Sequence, residues 1–295
     1  VMEYRGRKKV LVRNRVFTLH HFVETFSGVR INSWLDDGGK VIKEESPAGF
    51  VFISEPEFKA TDIKVKGKEI LSSVSIPISG GSLDLAGRNW IRYRLTLPPD
   101  TDFDLDKDRQ TLDDGVLTVN LETLPDSSVA SCTGFTEELA STPYIQTKNK
   151  SITDLAREVA GNAVADLERV RILAAWVFNN LEKRPVLGIP DALTTLNTRI
   201  GDCNEHAALF AALARNTGIP TRVVAGVTFF EGAFYYHAWN EVCLDDSWYS
   251  VDTTKNQFPA DLSHIKFVEG ETVEQVRIAA LLGKLQIEIV DEKRN

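Results

Sequence analysis

Residues 201–210 read Gly-Asp-Cys-Asn-Glu-His-Ala-Ala-Leu-Phe, and the interpretation of the whole chain depends on this stretch. Apolar residues after the cysteine recur at helical spacing, namely Ala207, Leu209, Phe210, Leu213 and Ala214. Asp202 is a residue type that caps helix starts, so we predict a helix whose first turn contains Cys203. The unpaired N–H groups and the dipole of a helix start stabilise an anion, which makes Cys203 a candidate nucleophile. The alternative is a cysteine that is buried only for packing.

Regular patterns continue on both sides of this stretch. Helical periodicity begins at Ser151, and an apolar stripe follows over residues 166–181. Gly218 and Pro220 are typical of a helix end, so the helix of Cys203 is expected to stop near residue 216. Strands are predicted after it at residues 221–230, 234–244 and 248–252, then a helix near 272–282 and a strand at 285–290.

The first part of the chain is typical of β-structure. Residues 36–39 read Asp-Asp-Gly-Gly, a hairpin turn signal, and strands are predicted at residues 63–65 and 116–121, among others. Around residues 126–150 the composition shifts to Ser, Thr, Pro and Asn, and helical periodicity follows. We therefore predict an α+β protein. A β-rich domain is expected at residues 1–130, and a second domain, with helices packed on an antiparallel sheet, at residues 131–295.

Composition limits the classes of partner and compartment. The net charge of −8 argues against nucleic acid, whose binding depends on clustered Lys and Arg. No apolar run reaches the ~18 residues that cross a bilayer, and the expected absence of a signal peptide weakly favours the cytoplasm. Three cysteines do not form a disulfide framework. If Cys203 is a nucleophile, Cys132 and Cys243 could pair or remain free.

Two further residues can complete a site around Cys203. His237 lies in the second of the three late strands, and Asp252 ends the third. If the intervening turn keeps Asp245 near its centre, residues that face each other have numbers that sum to about 489–491. The numbers of His237 and Asp252 sum to 489, so the two side chains are predicted to be direct or diagonal neighbours on one face of the sheet.

These three residue types form a known catalytic arrangement. Cys203 would attack a carbonyl carbon, and His237 would accept its proton and later protonate the leaving amine. Asp252 would accept a hydrogen bond from the other ring nitrogen and fix the ring orientation. The N–H of Cys203 is free at a helix start and would serve as an oxyanion donor.

Two alternatives remain open from the residues themselves. Cys203, His206, His237 and Cys243 could form a zinc site, but six residues of extended strand, about 20 Å, separate His237 from Cys243. His206 is expected instead to make supporting or packing contacts. The second alternative is a satisfied core histidine at position 237 and a turn-capping Asp252, in a protein that binds or scaffolds without catalysis.

Three segments resemble the core of the transglutaminase-like superfamily. They are residues 199–226 around Cys203, residues 237–242, which read His-Ala-Trp-Asn-Glu-Val, and residues 248–254, which read Trp-Tyr-Ser-Val-Asp-Thr-Thr. The resemblance implies a papain-like α+β fold and a catalytic triad of Cys203, His237 and Asp252. The family includes glutamine–lysine cross-linking, amide hydrolysis and proteolysis.

The resemblance also sets the expectations for function. It implies cysteine-dependent acyl transfer or hydrolysis on amide or peptide bonds of a protein or peptide substrate, through a thioester and without a cofactor or metal. The β-rich front half is similar to extracytoplasmic regions that accompany bacterial members of the family. An extracytoplasmic, periplasmic or membrane-anchored location is therefore expected, with the cytoplasm as the alternative. The chain offers no prediction of oligomeric state.

Overall fold

The computed structural model describes residues 2–12, 15–26, 29–45, 51–54, 75–80, 83–99, 101–126, 132–184 and 190–290. The strand predicted at residues 63–65 lies outside these ranges. None of the helices in the described part of the chain has the length and apolar character of a membrane-spanning segment.

Two compact units make up the chain. The first comprises Val1–Ser75, Leu97–Thr101 and Val276–Leu285, and the second comprises Ile76–Thr96, Asp102–Gln275 and Gln286–Asn295. This division by compactness does not use a single cut at residue 130. The boundary at residue 130 stays a prediction about domains.

The first unit contains a five-stranded antiparallel sheet in which the strands follow chain order. They are β1 Met2–Val12, β2 Arg15–Phe26, β3 Val29–Leu35, β4 Val41–Glu45 and β5 Val51–Ile53. Val10, Val12 and Leu19 form its small apolar cluster. The predicted turn after β3 is present, and the Asp36 carboxylate accepts hydrogen bonds from the N–H groups of Gly38 and Lys40.

The second unit is built on a nine-stranded sheet. Its early strands are β6 Ile76–Ser79, β7 Trp90–Thr96, β8 Gln110–Asp113 and β9 Val116–Asn120. Its late strands are β12 Thr221–Phe230, β13 Ala233–Leu244, β14 Ser247–Val251, β15 Ile265–Glu269 and β16 Gln286–Ile289. The order is β15-β12-β13-β6-β16-β7-β9-β8, and β14 pairs with β13. Two short strands, β10 Glu182–Lys183 and β11 Ile200–Gly201, pair separately in parallel.

Helices of the second unit pack on this sheet. They are α1 Lys150–Ala160, α2 Asp166–Asn180, α3 Ala192–Thr198, α4 Cys203–Asn216 and α5 Thr272–Gln275. Short 3-10 segments occur at Glu137–Leu139 and Val276–Leu281, the latter in the first unit. The apolar stripe of α4, with Phe210 and Leu213 fully buried, packs into one core with Val223, Val242 and Val251 from the strands. The predicted α+β class is confirmed.

Two differences from the predicted elements lie near the end of the chain. The helix predicted near 272–282 is a four-residue α-helix followed by a 3-10 segment. Strand β15, whose residues 265–269 read Ile-Lys-Phe-Val-Glu, was not predicted.

Candidate active site

A capping box fixes the start of α4. The carboxylate of Asp202 accepts a hydrogen bond from the N–H of Asn204, at 3.0 Å, and from that of Glu205. The carboxylate of Glu205 accepts one in return from the N–H of Asp202, at 3.0 Å. This reciprocal pattern gives partners to N–H groups that the helix itself cannot satisfy, and so makes the helix begin at a defined residue. The cap leaves the N–H of Cys203 unused, at the position from which an oxyanion donor could act.

The residue before the cap must be glycine. A Cβ atom on Gly201 would lie 2.3 Å from Cβ of Glu205. Glu205 is therefore able to fold back onto the helix start only because position 201 has no side chain. Burial, a hydrogen bond with Asp202 and the charge of Asp202 raise the pKa of Glu205 to about 7.

Cys203 meets His237 at this helix start. Cys203 is partly exposed and is the free thiol of the chain, since the other two cysteines are bonded to each other. Burial lowers the pKa of His237, but the charge and hydrogen bond of Asp252 and the thiol of Cys203 outweigh burial and raise the pKa to about 9. The folded arrangement therefore favours the imidazolium form of His237 beside the sulfur atom.

The third predicted residue lies on the other side of the imidazole. Nε2 of His237 is 2.8 Å from Oδ2 of Asp252, which leaves Nδ1 for the sulfur of Cys203. Oδ1 of Asp252 accepts hydrogen bonds from the N–H groups of Thr254, at 2.8 Å, and Lys255, at 3.1 Å. Burial acts to raise the pKa of Asp252, but the charges and hydrogen bonds of His237 and His264 hold it well below its ordinary value. The structure thus brings Cys203, His237 and Asp252 together.

Trp239 covers the imidazole of His237. The two rings stack with their centroids 6.1 Å apart, and Trp239 is buried. Gly226 is paired with His237 across β12 and β13. A Cβ atom on Gly226 would lie 1.9 Å from the carbonyl oxygen of Ile265 and 2.9 Å from Cη2 of Trp239. The absence of a side chain at position 226 lets β15 and Trp239 close on the site.

The sequence analysis missed His264. This fully buried histidine contacts the same Asp252 oxygen as His237, with Nε2 at 3.0 Å from Oδ2. His264 lies in the connection between β14 and β15, where no periodic pattern marks it. The only available signal was its residue type, one of five histidines in the chain.

The alternative zinc site lacks one of its four expected ligands. Cys243 is bonded to Cys132, with Cα atoms 6.1 Å apart, so Cys243 is not available as a thiolate ligand. His206 is fully buried on α4, and its Nδ1 atom lies 2.7 Å from the carbonyl oxygen of Asp202. Its Nε2 atom has no hydrogen-bond partner in the described residues. His206 therefore contacts the cap of α4, as the expected supporting role requires.

Among the residues that the structure describes, two other side-chain sets have ligand atoms close enough to hold a metal ion. His237, Asp252 and His264 form the first, but their nitrogen atoms already lie at hydrogen-bond distance from Asp252. The second set is Asp108, Glu241 and Glu269. Arg222 and Lys266 form ion pairs with all three of these carboxylates. Charge pairing therefore accounts for both sets without an ion.

A small, open cavity lies on another side of the α4 start. Asn204, which follows Cys203, lines it together with Ala208, and Glu271 supplies a carboxylate. Glu271 is held by Thr142, at 2.6 Å, and by Arg215, at 3.4 Å. The cavity borders the helix that carries the nucleophile, but no member of the triad lines it.

Comparison with known protein families finds a match within the second unit. Residues 153–253 match the model of the transglutaminase-like superfamily. These residues include α1, α2, α4, β12, β13 and β14, and with them Cys203, His237 and Asp252. This segment, which contains all three candidate residues, is therefore similar to the transglutaminase-like superfamily.

Individual relatives align with less than half of this chain. Mouse kyphoscoliosis peptidase is 28% identical over 149 residues, which covers 44% of this chain and 22% of the mouse protein. An uncharacterized protein of Haemophilus influenzae is 27% identical over 126 residues, covering 41% of this chain and 33% of that protein. The chain thus spans about a fifth to a third of the length of these relatives.

Solved structures show a partial likeness. A Cytophaga hutchinsonii protein provisionally described as a cysteine protease has a TM-score of 0.46 and 18% identity, covering 75% of this chain and 90% of that chain. The periplasmic domain of TgpA from Pseudomonas aeruginosa has a TM-score of 0.40 and 22% identity, covering 61% of this chain and 75% of that domain.

Proposed function

We propose that this chain is a cysteine-dependent enzyme that cleaves or transfers amide or peptide bonds through a thioester, with Cys203, His237 and Asp252 as its catalytic triad. The supporting observation is the 2.8 Å contact between Nε2 of His237 and Oδ2 of Asp252. This contact directs the other ring nitrogen to Cys203. A nucleophile, a base and a group that orients the base are the three parts that such a mechanism requires.

Acylation begins from the thiolate of Cys203 and the imidazolium of His237. The sulfur attacks the carbonyl carbon, and the carbonyl electron pair moves to oxygen, where the N–H of Cys203 can donate a hydrogen bond. His237 then gives its Nδ1 proton to the leaving nitrogen as the C–N bond breaks. The amine departs, the acyl group remains on sulfur as a thioester, and His237 is neutral.

Deacylation regenerates the enzyme. Water or an amine attacks the thioester carbon while neutral His237 takes a proton from the acceptor. The C–S bond breaks, and the thiolate and imidazolium are restored as the carboxylic acid or the new amide leaves. We propose water as the first acceptor to test, since the mammalian relatives are named as peptidases. This chain covers only about a fifth of their length.

The substrate class follows from the chemistry of the site and the charge of the chain. A protein or peptide supplies the amide carbonyl. The net charge of −8 is unfavourable for a polyanion such as nucleic acid.

An extracytoplasmic location is part of the same proposal. The disulfide bond between Cys132 and Cys243 supports it, because such bonds persist in oxidising compartments and are rare in the cytosol.

The test uses the single free thiol of the chain. The protein is incubated with a library of glutamine-containing and cell-envelope peptides, and intact mass spectrometry records acyl adducts. We expect an adduct on wild type that is absent in Cys203→Ala and strongly reduced in His237→Gln. His20→Gln is the matched control, because His20 lies in the first unit among Tyr4, Arg7 and Asp37.

Two further measurements separate the alternatives. Release of carboxylic acid indicates hydrolysis, whereas incorporation of a dansylated primary amine indicates transfer. A non-catalytic binding module predicts no adduct with any peptide. It also predicts that iodoacetamide labels Cys203 at the same rate at pH 6 in wild type and in His237→Gln.

A further inference from the structure

Asp252 is shared by two imidazole rings. Its Oδ2 atom lies 2.8 Å from Nε2 of His237 and 3.0 Å from Nε2 of His264. The side chains of Asp252 and His264 are fully buried, and that of His237 is 9% exposed. Because the proposed mechanism uses only His237, the presence of a second imidazole on the same oxygen needs its own explanation.

The protonation state of His264 follows from its two neighbours. Its Nδ1 atom lies 3.0 Å from Oδ1 of Asp261, so both ring nitrogens face carboxylate oxygens. A neutral imidazole has one N–H donor and one lone pair, and the lone pair would face one of these oxygens unfavourably. Both contacts are attractive only when both nitrogens of His264 carry protons. His264 in this geometry is therefore an imidazolium.

Both carboxylates are suited to hold that charge. Burial acts to raise the pKa of Asp261, but the hydrogen bond and charge of His264 hold it well below its ordinary value. Oδ1 of Asp261 also accepts a hydrogen bond from the N–H of Ser263, at 2.9 Å, and another from its hydroxyl group. Asp261 is thus oriented by the backbone of its own turn as well as by His264.

The loop that carries His264 is held by Arg109, the residue that precedes β8. The guanidinium of Arg109 donates hydrogen bonds to three backbone carbonyls of this loop, those of Ala260, Asp261 and His264. Trp239 adds an edge contact, with its ring centroid 5.2 Å from that of His264. Contacts on the backbone and on the ring therefore fix where His264 points.

Two further titratable side chains, Lys255 and His206, lie near these carboxylates. Lys255 interacts electrostatically with Asp252 and Asp261, and its Nζ atom donates to Thr228 and to the carbonyl of Phe229. His206 also feels the charge of Asp252, but burial lowers the pKa of His206, so it favours the neutral form. Lys255 and the rings of His237 and His264 therefore lie close to the carboxylates of Asp252 and Asp261.

We propose that His264 is a positioning residue for the Cys203 site. As an imidazolium held between Asp252 and Asp261, it shares Oδ2 of Asp252 with His237. This sharing weakens the stabilisation that Asp252 gives to the protonated form of His237. This inference rests on the proposed function. The His237 and His264 ring centroids are 5.8 Å apart. At that distance two positive charges disfavour each other, so His264 helps His237 release its proton to the leaving amine.

The first experiment reads His264 directly and needs no substrate. Nitrogen-15 NMR of the histidine rings in the wild-type protein is recorded from pH 5 to pH 8, and His264 is assigned by the loss of its signals in His264→Gln. We expect both ring nitrogens of His264 to carry protons at pH 7, because both face carboxylate oxygens. A single protonated nitrogen at pH 7 would overturn the proposal; if His264→Gln does not fold, triple-resonance experiments on the wild-type protein assign the His264 signals instead.

The second experiment measures the effect on His237. In His264→Gln the side-chain amide keeps a donor for Asp252 but removes the positive charge. We expect the titration of His237 by NMR, and the pH profile of iodoacetamide alkylation at Cys203, to move upward by about one pH unit. A role in stability alone predicts a lower melting temperature with both profiles unmoved, and that result overturns the proposal. His20→Gln, in the first unit, is the control and should move neither profile.

The two experiments also separate this proposal from the proposed function. A doubly protonated His264 and a shifted His237 titration, with no acyl adduct on Cys203, would leave the electrostatic role standing and remove the catalytic one. An acyl adduct on Cys203 with an unshifted His237 titration would support the catalytic role of Cys203 and remove the electrostatic role of His264.

Discussion

Asp252 lies diagonally across from His237 rather than directly opposite it, although their side chains are 2.8 Å apart. The register of β13 and β14 pairs Asn240 with Val251, so the position that continues this register opposite His237 is residue 254. The N–H groups of Thr254 and Lys255 bind the other carboxylate oxygen and aim Asp252 at the ring. The contact therefore depends on the turn after β14 as much as on the strand pairing.

Replacing Asp252 with Asn tests this relationship. Asn keeps the shape of the side chain but removes the charge that favours the imidazolium of His237. We expect kcat/KM for the peptide identified by mass spectrometry to fall about 10²- to 10⁴-fold. Asp113→Asn removes an exposed carboxylate from β8 and should leave activity unchanged. Equal activity in Asp252→Asn and wild type would contradict the assigned role.

The raised pKa of His237 predicts how stability depends on pH. The folded state binds the proton more tightly than the unfolded state, whose pKa is near the ordinary value of 6.5. The stabilisation is fully present below pH 6.5 and is lost as the pH rises through about 9. Since one pKa unit corresponds to about 1.4 kcal/mol, the loss is at most about 3.5 kcal/mol.

Urea unfolding at pH 6, 7.5 and 9.5 checks this prediction. Wild type should lose more unfolding free energy over this range than His237→Gln does, because the other titrating groups are common to both. Parallel pH profiles for the two proteins would show that His237 does not contribute this linkage.

The disulfide bond between Cys132 and Cys243 joins residues 111 positions apart. Closing so long a loop restricts the unfolded chain, so we expect the double variant Cys132→Ala, Cys243→Ala to lose about 2–5 kcal/mol of unfolding free energy. Denaturant unfolding under non-reducing conditions measures the loss. Cys203→Ala is the matched cysteine control and should change stability much less.

Gly226→Ala tests the close approach of β12 and β15. The new Cβ atom would meet the Ile265 carbonyl and the Trp239 ring, so we expect a loss of about 2 kcal/mol or more. Thermal unfolding provides the measurement. Gly38→Ala is the control, because a Cβ atom there would come no nearer than 3.2 Å to Asp36 Oδ1. Equal destabilisation by both variants would remove the steric explanation.

Local signals explain how much of the fold was predictable. Asp202 marked the start of α4, and its helical periodicity and Gly218 marked its length and end. Alternation and turn residues marked β12, β13 and β14, and the odd register sum placed His237 and Asp252 on one face. The resemblance to a family then added the fold. Each of these signals acts over a few residues or lies within one motif.

Long-range contacts explain what sequence reasoning missed. His264 reaches Asp252 from a loop without periodicity, and Arg109 holds that loop from 155 positions earlier in the chain. Arg109 belongs to an acidic stretch, residues 100–114, which on composition alone is typical of a loop or hairpin excursion. No spacing rule connects an arginine there to the carbonyl of His264. The pairing of Cys132 with Cys243 remained open for the same reason.

The place of β16 in the larger sheet has a consequence for synthesis. Residues 286–289 lie between β6 and β7, and in the described sheet β7, β9 and β8 reach the other strands through β16. While the ribosome is still producing residues before 286, the β7–β9–β8 group has no native neighbour on that side. A nascent chain must therefore keep this edge from pairing wrongly until its partner strand emerges, which makes the group a natural client for a chaperone.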